Sequence, residues 1–251
     1  MKIDEVKSRF AMPITSPSFA LGPYRFRSRE YLIVDYETDM DALRRVVPEP
    51  LEVYKPVVRY EFIKMPDSDG FGSYDESGQV IPVTFHGKPG NYVHSMYLDD
   101  LSPIVGGREI WGFPKKYGQP EMRVDAVSKD CCIGMLKYGE LEVARATMAY
   151  KWQRLDTEPL CRAMLETPNF LMKVIPDVDG TPKICQLVQY PLLDVTVKEA
   201  WTGPASLQLF SHCMAPVADL PVKGIVGAVH YISDLTLGLG EVVFDYLKEQ
   251  G

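Results

Sequence analysis

The segment Val57–Met65, with the sequence VVRYEFIKM, decides the fold class. β-Branched and aromatic residues dominate it, and such side chains fit the pleated surface of a strand. Turn-forming pairs such as Asp179-Gly180 and Tyr138-Gly139 bound most other segments of this kind. The further candidate strands are Tyr31–Tyr36, Val80–Phe85, Tyr92–Leu98, Cys131–Tyr138, Val143–Tyr150, Lys183–Tyr190, Leu192–Ala200 and Gly224–Ile232. The sequence therefore predicts a mainly β protein.

Helix signals are fewer, and the 20 Pro and 19 Gly residues cut the chain into short segments. Many short strands with few helices predict an antiparallel sheet that is closed on itself or folded double. We see no linker or repeat, so we expect one domain over residues 1–251. The predicted helices are Asp39–Val47 capped by Thr38, a segment from Asp156 or Thr157 to about Glu166, and a short one between Asp99-Asp100 and Gly106-Gly107, whereas the tail Gly240–Gln250 is compatible with strand, helix or both.

The net charge of −7 excludes some classes of partner. The sequence has no basic block, so a nucleic-acid partner is not expected. An acidic chain also gives no long-range attraction to an anionic substrate, which local cations would have to hold.

The cysteines and the apolar runs bear on the compartment. The five Cys are scattered without a C-x-x-C pair, and the start Met1–Lys7 has acidic residues where a signal peptide is apolar. We expect reduced thiols and a cytoplasmic protein. No run of 18 apolar residues occurs, so no membrane partner is expected.

The sequence contains one unusual motif, Glu109–Lys116, which reads EIWGFPKK. Two lysines follow an apolar run with two aromatic residues. They could be solvated lysines at the end of a strand, or one could be a nucleophilic amine. A lysine attacks only when it is neutral, so burial or a nearby cation must lower its pKa from about 10.4. The common hydrolase, nucleotide-binding and zinc motifs are absent from the sequence, and the four His show no metal-ligand spacing.

Alternation along an extended chain favours Lys115 as the drier of the two amines. Residues i and i+2 share a face, so Lys115 would lie with Phe113 and Trp111, and Lys116 with Pro114 and Gly112. The two amines then point to opposite sides, and burial should lower the pKa of Lys115 more than repulsion does. If Lys116→Met restored a normal pKa, repulsion would dominate instead.

An ordered set of motifs around this segment makes the chain recognisable, and it closely resembles bacterial acetoacetate decarboxylases. The resemblance implies a closed, cone-like β-barrel with peripheral helices, a large homo-oligomer (a dodecamer is typical) and no metal or organic cofactor. It implies decarboxylation of acetoacetate, a small β-keto acid, to acetone and CO2. The motifs are Gly22–Phe26, Arg29–Tyr31, Thr38–Glu52, Glu76–Gln79, Tyr97–Asp99, Gly107–Glu109, Pro114–Lys116, Ala200–Pro204 and Asp219–Lys223.

The resemblance also implies roles for particular residues. Lys115 resembles the Schiff-base lysine of the family and Lys116 its charged neighbour; activation of a lysine by desolvation or a nearby cation is already established for that family. Arg29, Glu61 and Glu76 match the polar active-site residues of the family. Phe113, which stands where the best-known members have Tyr, is expected to be an aromatic wall of the substrate pocket. Apart from the resemblance, Met96 and Tyr97 are candidates for the pocket lining, and Met96 could instead pack in the core.

The carboxylates and the arginine each have a second interpretation from the residues alone. Glu76 lies in a turn-rich stretch, Ser73–Gly78, and could be a solvated loop carboxylate or a group that positions or shuttles a proton. Glu61 could pair with Arg59 on an exposed strand face or shape the pocket. Arg29 could belong to a solvated patch, or organise Glu76 and guide the substrate.

Three other functions remain open at the level of sequence. A superfamily relative could use the same lysine for aldolase or dehydratase chemistry on another keto acid, because these reactions also begin with an imine. A non-catalytic barrel could bind a small apolar ligand, or Lys115-Lys116 could clamp a phosphate. Release of acetone from acetoacetate would distinguish decarboxylation from these three functions.

Overall fold

A computed structural model describes residues 1–248 of the chain, and strands dominate it, with 52% of residues in strands and 15% in helices. The mainly β prediction is therefore confirmed. The strands are β1 (Tyr24–Glu37), β2 (Glu52–Val53), β3 (Val57–Met65), β4 (Asp67–Ser68), β5 (Tyr74–Phe85), β6 (Lys88–Leu98), β7 (Lys115–Tyr117), β8 (Gln119–Val124), β9 (Cys131–Tyr138), β10 (Leu141–Ala149), β11 (Gln153–Arg154), β12 (Asn169–Pro176), β13 (Pro182–Tyr190), β14 (Leu192–Thr202), β15 (Ala205–Leu209), β16 (Gly224–Leu237) and β17 (Glu241–Asp245).

The helices are short, as the distribution of Pro and Gly indicates. They are α1 (Ile3–Lys7), α2 (Met40–Val46), α3 (Leu101–Gly106) and α4 (Thr157–Glu166), with a π-helical turn at Gly107–Trp111 and a 3₁₀ turn at Val217–Asp219. Within residues 1–248, none of them is long and apolar enough to cross a membrane.

The strands form two sheets. The larger sheet has the order β11-β14-β16-β1-β3-β5-β6-β12-β13-β17, with β2 added to β5, β4 to β1 and β7 to β6. The smaller sheet has the order β15-β10-β9-β8. Most pairs are antiparallel, but β6 pairs in parallel with both β12 and β7.

The expectation of a closed barrel is wrong. In the part of the chain that the structure describes, the larger sheet is open, because its terminal strands β11 and β17 are not neighbours in the ladder. The sheet divides at β6: its first half pairs with β12 at Asn91 and Tyr92, whereas its second half pairs with β7 from Met96 to Leu98. One edge of β6 thus pairs with two different strands over two or three residues each, and the sheet branches there instead of continuing around a barrel.

Strand alternation sends the side chains of β1 into two hydrophobic clusters. Leu32 and Val34 enter a cluster that both sheets share, since it also contains Phe62 of β3 and Leu136 of β9. Tyr31 and Ile33 enter the other cluster, on the opposite face of the larger sheet. A strand buried on both faces is mostly apolar throughout, which explains the run YLIV at residues 31–34.

Most predicted segments are confirmed, with shifts at their ends. Val57–Met65 and Cys131–Tyr138 coincide with β3 and β9. Helix α4 begins after the N-cap Asp156, whose side chain accepts from the amide of Glu158. Helix α2 is capped by Asp39 instead of Thr38, because the Asp39 carboxylate accepts from two amides of the first turn.

Several strands lie outside the predicted segments, among them β8, β12 and β15. Strand β12, Asn169–Pro176, was not predicted, since its apolar run FLMKVIP lacks the polar-apolar alternation of a half-buried strand. The predicted tail Gly240–Gln250 forms β17 and a turn as far as residue 248, and its last two residues lie outside the described part of the chain.

Candidate active site

Lys115 lies at the start of β7, where the parallel ladder with β6 places it opposite Met96. Only 6% of its side chain is exposed. Lys116 is the next residue of the same strand, so its side chain leaves the opposite face. Its Nζ donates to the carbonyl of Met214 and lies 5.2 Å from the ring centroid of Tyr138. The structure thus separates the two amines, as alternation indicates.

The Lys115 amine has a charged partner and aromatic walls. Its Nζ lies 2.8 Å from Oε1 of Glu76, 4.9 Å from the ring centroid of Phe113 and 5.9 Å from that of Tyr74. Burial lowers the pKa of Lys115, Glu76 opposes this change, and the cation of Arg29 adds to it. Desolvation is thus the main cause, and the neighbouring cation that contributes is Arg29.

Glu76 is a strand residue in β5, so the interpretation of a solvated loop carboxylate is wrong. Only 3% of its side chain is exposed, and β5 places it between Ile63 of β3 and Leu98 of β6. The turn-like composition of residues 73–78 misled the sequence analysis because hydrogen bonds to both neighbouring strands override local preference.

Arg29 is the third member of a row of alternating charges, in which the Glu76 carboxylate lies between the Lys115 amine and the Arg29 guanidinium. Its Nη2 lies 3.6 Å from Oε2 of Glu76, while the opposite carboxylate oxygen faces Lys115. The guanidinium carbon lies 5.3 Å from the ring centroid of Phe26 and 4.8 Å from that of Tyr31. An irregularity of β1 between Phe26 and Arg29 sets the direction of this side chain. Arg29 is therefore no solvated surface arginine.

Glu61 and Arg59 share a face of β3 and both line the same cavity. Burial raises the pKa of Glu61 to about 7, against the opposing effects of Arg59 and Arg29. The guanidinium of Arg59 pairs across the strands with Asp35, at 3.2 Å from Nε to Oδ1. The site thus holds a carboxyl group that titrates near neutral pH.

These groups surround one cavity of about 330 Å³. Arg29, Glu61, Glu76 and Lys115 provide its charged wall, and Phe113 and Met96 belong to its apolar wall. Helix α4 contributes Leu160 and Met164 at the other side. A concave, mostly apolar pocket with a few convergent polar groups and perturbed pKa values is the usual form of a small-molecule site.

Comparison with known proteins identifies the family of this chain. A sequence model described as acetoacetate decarboxylase (ADC) matches residues 11–247. The chain belongs to the acetoacetate decarboxylase family.

Relatives and solved structures agree with this membership. The chain is 59% identical over 250 residues to an acetoacetate decarboxylase of Burkholderia mallei (strain NCTC 10229), covering 99% of this chain and 100% of the relative. A crystal structure of acetoacetate decarboxylase from Legionella pneumophila is 50% identical, with a TM-score of 0.89 over 95% of each chain. A structure from a study of acetoacetate decarboxylase is 51% identical, with a TM-score of 0.94 over 99% of this chain and 100% of that one.

Two residues expected at the site of this acetoacetate decarboxylase family member, Tyr97 and Lys116, lie outside the cavity. Tyr97 packs in the core shared by the two sheets, edge-on to Tyr138 with ring centroids 6.0 Å apart. Lys116 lies next to Tyr97 in the ladder and contacts the same ring. Both follow from alternation: Met96 and Lys115 face the cavity, so their neighbours face away.

The chain before Lys115 is irregular, which corrects one premise of the sequence analysis. Trp111 ends the π-helical turn, Gly112 has a positive φ of 88°, and the amide of Lys115 donates to the carbonyl of Phe113 at 2.7 Å. That contact closes a three-residue turn at Pro114. Phe113 still reaches Lys115 through this turn, whereas the indole of Trp111 donates to the carbonyl of Gly238.

Sequence reasoning missed the tyrosines of this acetoacetate decarboxylase cavity. Tyr31 and Tyr231 face each other across β1 and β16 and stack with ring centroids 4.4 Å apart. Tyr74 and Tyr190 line the same cavity. Tyr31 shares the parity of Arg29 in β1, and Tyr74 that of Glu76 in β5, so alternation from the charged residues was the available signal.

Proposed function

We propose that this protein decarboxylates acetoacetate to acetone and CO2 through a Schiff base on Lys115. One observation supports this most: a buried lysine amine faces the Glu76 carboxylate in a cavity of an acetoacetate decarboxylase family member. Burial lowers the pKa of Lys115, and the neutral amine is the form that attacks a ketone.

The reaction balances without an added cofactor. The neutral amine attacks the ketone carbon, the adduct takes up a proton, and water leaves, which produces a protonated imine. This cation accepts the electron pair of the breaking C–C bond, so CO2 departs and an enamine forms. The enamine takes a proton on carbon, and water then hydrolyses the protonated acetone imine, which releases acetone and one proton and restores neutral Lys115.

The surrounding side chains have distinct proposed roles. Glu76 touches the amine and exchanges protons with it during imine formation and hydrolysis. Arg29 holds the second oxygen of Glu76 and therefore acts through it. Glu61, whose pKa burial raises to about 7, supplies a proton to the cavity. Phe113 and Met96 exclude water from the reacting carbon.

Lys116 has a structural role in this proposal. Its amine anchors β7 to the carbonyl of Met214 and lies over the ring of Tyr138, on the face away from the cavity. It touches no reacting atom, so we propose that it supports the position of the strand that carries Lys115.

Borohydride trapping in the presence of acetoacetate tests this function. We expect an irreversible mass gain of one isopropyl group, mapped to the peptide with Lys115, and none in Lys115→Met. A gain equal to the undecarboxylated acid would keep the imine but assign the chain to aldolase or dehydratase chemistry. Absence of any adduct over the whole pH range would contradict the covalent mechanism.

Assembly, domain organisation and compartment complete the proposal. We infer a single domain over residues 1–251 that forms a large homo-oligomer in the cytoplasm. Large exposed apolar side chains such as Phe10, Trp152 and Val226 support the assembly, and five free cysteines agree with a reducing compartment. Light scattering coupled to size-exclusion chromatography would show a dodecamer, and a monomeric mass would contradict this inference.

A further inference from the structure

The π-helical turn Gly107–Trp111 lies directly against Lys115. It continues α3, and its first residue, Gly107, has φ of −61° and ψ of −42°. These are ordinary helical dihedral angles that any L-residue adopts. In a helix of this geometry alanine is the better former, so glycine at this position is not explained by the backbone.

Space explains the glycine. A Cβ at Gly107 would lie 2.8 Å from Cδ, 3.0 Å from Cε and 3.3 Å from Nζ of Lys115. The missing side chain therefore leaves room for the stem and amine of the buried lysine. The contact extends along the reactive end of the side chain, so a methyl group here would have to displace the amine.

The same turn holds the backbone on both sides of the lysine. The carbonyl of Gly107 accepts from the amides of Gly112 and Phe113, at 3.0 and 3.1 Å. The guanidinium of Arg108 donates to the carbonyl of Lys115 at 3.1 Å. Residues 107 and 108 thus contact the chain before Lys115, its carbonyl and its side chain.

We propose that Gly107 is a positioning residue, and that its bare backbone, held by the π-helical turn, keeps the Lys115 amine at Glu76. Among residues 1–248, Lys115 lines the cavity and Gly107 does not, so the lysine lies between the turn and the cavity. A methyl group at residue 107 would therefore push the amine away from the turn and toward the cavity. This inference rests on the proposed role of Lys115 in imine formation.

Thermal unfolding of a double-mutant cycle tests the contact without using activity. Gly107→Ala lowers the melting temperature when Lys115 is present, because the lysine must move. In the Lys115→Ala chain the methyl group fits the freed space, and Gly107→Ala leaves the melting temperature unchanged or raises it. Equal changes in both chains would overturn the proposal.

The rate of borohydride trapping across the pH range tests the consequence. Gly107→Ala moves the rise in trapping rate to higher pH, since a more hydrated amine is easier to protonate, and lowers kcat on the order of 100-fold. Gly106→Ala is the matched control. Gly106 has nearly the same dihedral angles, but its Cβ would meet the ring of Phe19.

The outcomes separate this inference from the proposed function. We expect Gly106→Ala to keep the wild-type kcat and pH profile. A Gly107→Ala variant with the kcat and profile of Gly106→Ala would overturn the positioning role. If the wild-type protein forms no adduct, the proposed function fails, and the unfolding cycle still decides whether Gly107 leaves room for Lys115.

Discussion

At the scale of single residues, two ionisable groups of this site are buried, and their oppositely charged neighbours do not fully offset the effect of burial on their pKa values. Glu61 has its pKa raised to about 7 by burial, and the same effect lowers the pKa of Lys115. Each shift favours the neutral form of its group. Both groups line the same cavity, and the neutral forms that burial favours are those needed for imine formation and proton donation.

Glu61 makes stability depend on pH. Its ordinary pKa is 4.5, and the folded protein keeps the proton up to about pH 7. As pH rises through this interval the unfolded chain loses the proton first, so the stability due to Glu61 falls, and it is level above the interval. We expect Glu61→Gln to be about 1–3 kcal/mol more stable than wild type at about pH 8 and little different at about pH 5.

Denaturant unfolding of both proteins at the two pH values measures this difference. Glu52→Gln, at an exposed residue of β2, is the matched control and should show no such trend. A stability difference between Glu61→Gln and wild type that stays constant with pH would show that Glu61 keeps an ordinary pKa.

In the proposed mechanism Arg29 acts on the reaction through Glu76, and its removal distinguishes a role in substrate binding from a role in the chemical steps. In Arg29→Gln the Glu76 carboxylate loses a cation at 3.6 Å, and Lys115 loses one cause of its lowered pKa. We expect kcat to fall roughly 10–100-fold, with the rise of the pH profile moved to higher pH. Arg25→Gln, at an exposed residue of the same strand, should behave as wild type. A higher KM with unchanged kcat would make Arg29 a simple binding residue.

At the scale of secondary-structure elements, the cavity has one rigid side and one weakly held side. Strand β5, which carries Glu76, is almost entirely buried between its neighbours. Helix α4 buries none of its residues, yet Leu160 and Met164 line the cavity. The charged groups of the cavity therefore lie on strands with high local stability, and we infer that α4 is the part of the wall that opens at the lowest cost.

The N-cap of α4 tests this division. Asp156→Ala removes the acceptor for the amide of Glu158 and destabilises the helix by about 1 kcal/mol. We expect faster amide hydrogen exchange across α4 and a KM raised a few-fold, with kcat within roughly two-fold of wild type. Asp39→Ala, which uncaps α2 away from the cavity, should cost similar stability without changing KM. Unchanged KM in Asp156→Ala would contradict the role of α4 as a cavity wall.

At the scale of the whole molecule, close packing of the two sheets supports the site from behind. Gly134 of β9 lies against Phe62 of β3, and a Cβ there would come within 2.4 Å of the Phe62 ring. Phe62 belongs to the shared core, while its neighbour Glu61 faces the cavity. The contact with the smaller sheet therefore fixes the distance between β3 and β9 and, through β3, the position of Glu61.

Gly134→Ala measures this packing. The new methyl group forces the sheets apart or the Phe62 ring off its rotamer, and we expect a loss of about 1–3 kcal/mol in the free energy of unfolding. Gly227→Ala is the control, because Gly227 also lies in a strand but has open space where a Cβ would be. Equal effects of the two substitutions would show that the sheets are not in close contact at Phe62.

The sequence by itself determined the features that depend on local preference. β-Branched and aromatic segments predicted strands such as β3 and β9, and side-chain caps predicted α4, because these signals act within a few residues. The ordered motifs indicated the acetoacetate decarboxylase family, which the comparisons confirm. The aromatic neighbour Phe113 also predicted that Lys115 is the drier amine, although the chain between Trp111 and Lys115 is not the regular strand that this prediction assumed.

Only the tertiary structure decided the features that depend on distant partners. Glu76 became a buried strand residue through ladders with β3 and β6, and the branching of β6 left the larger sheet open. The π-helical turn brought Gly107 against Lys115. Local sequence is blind to these outcomes, because hydrogen-bond register and the space around a buried side chain are set by residues far along the chain.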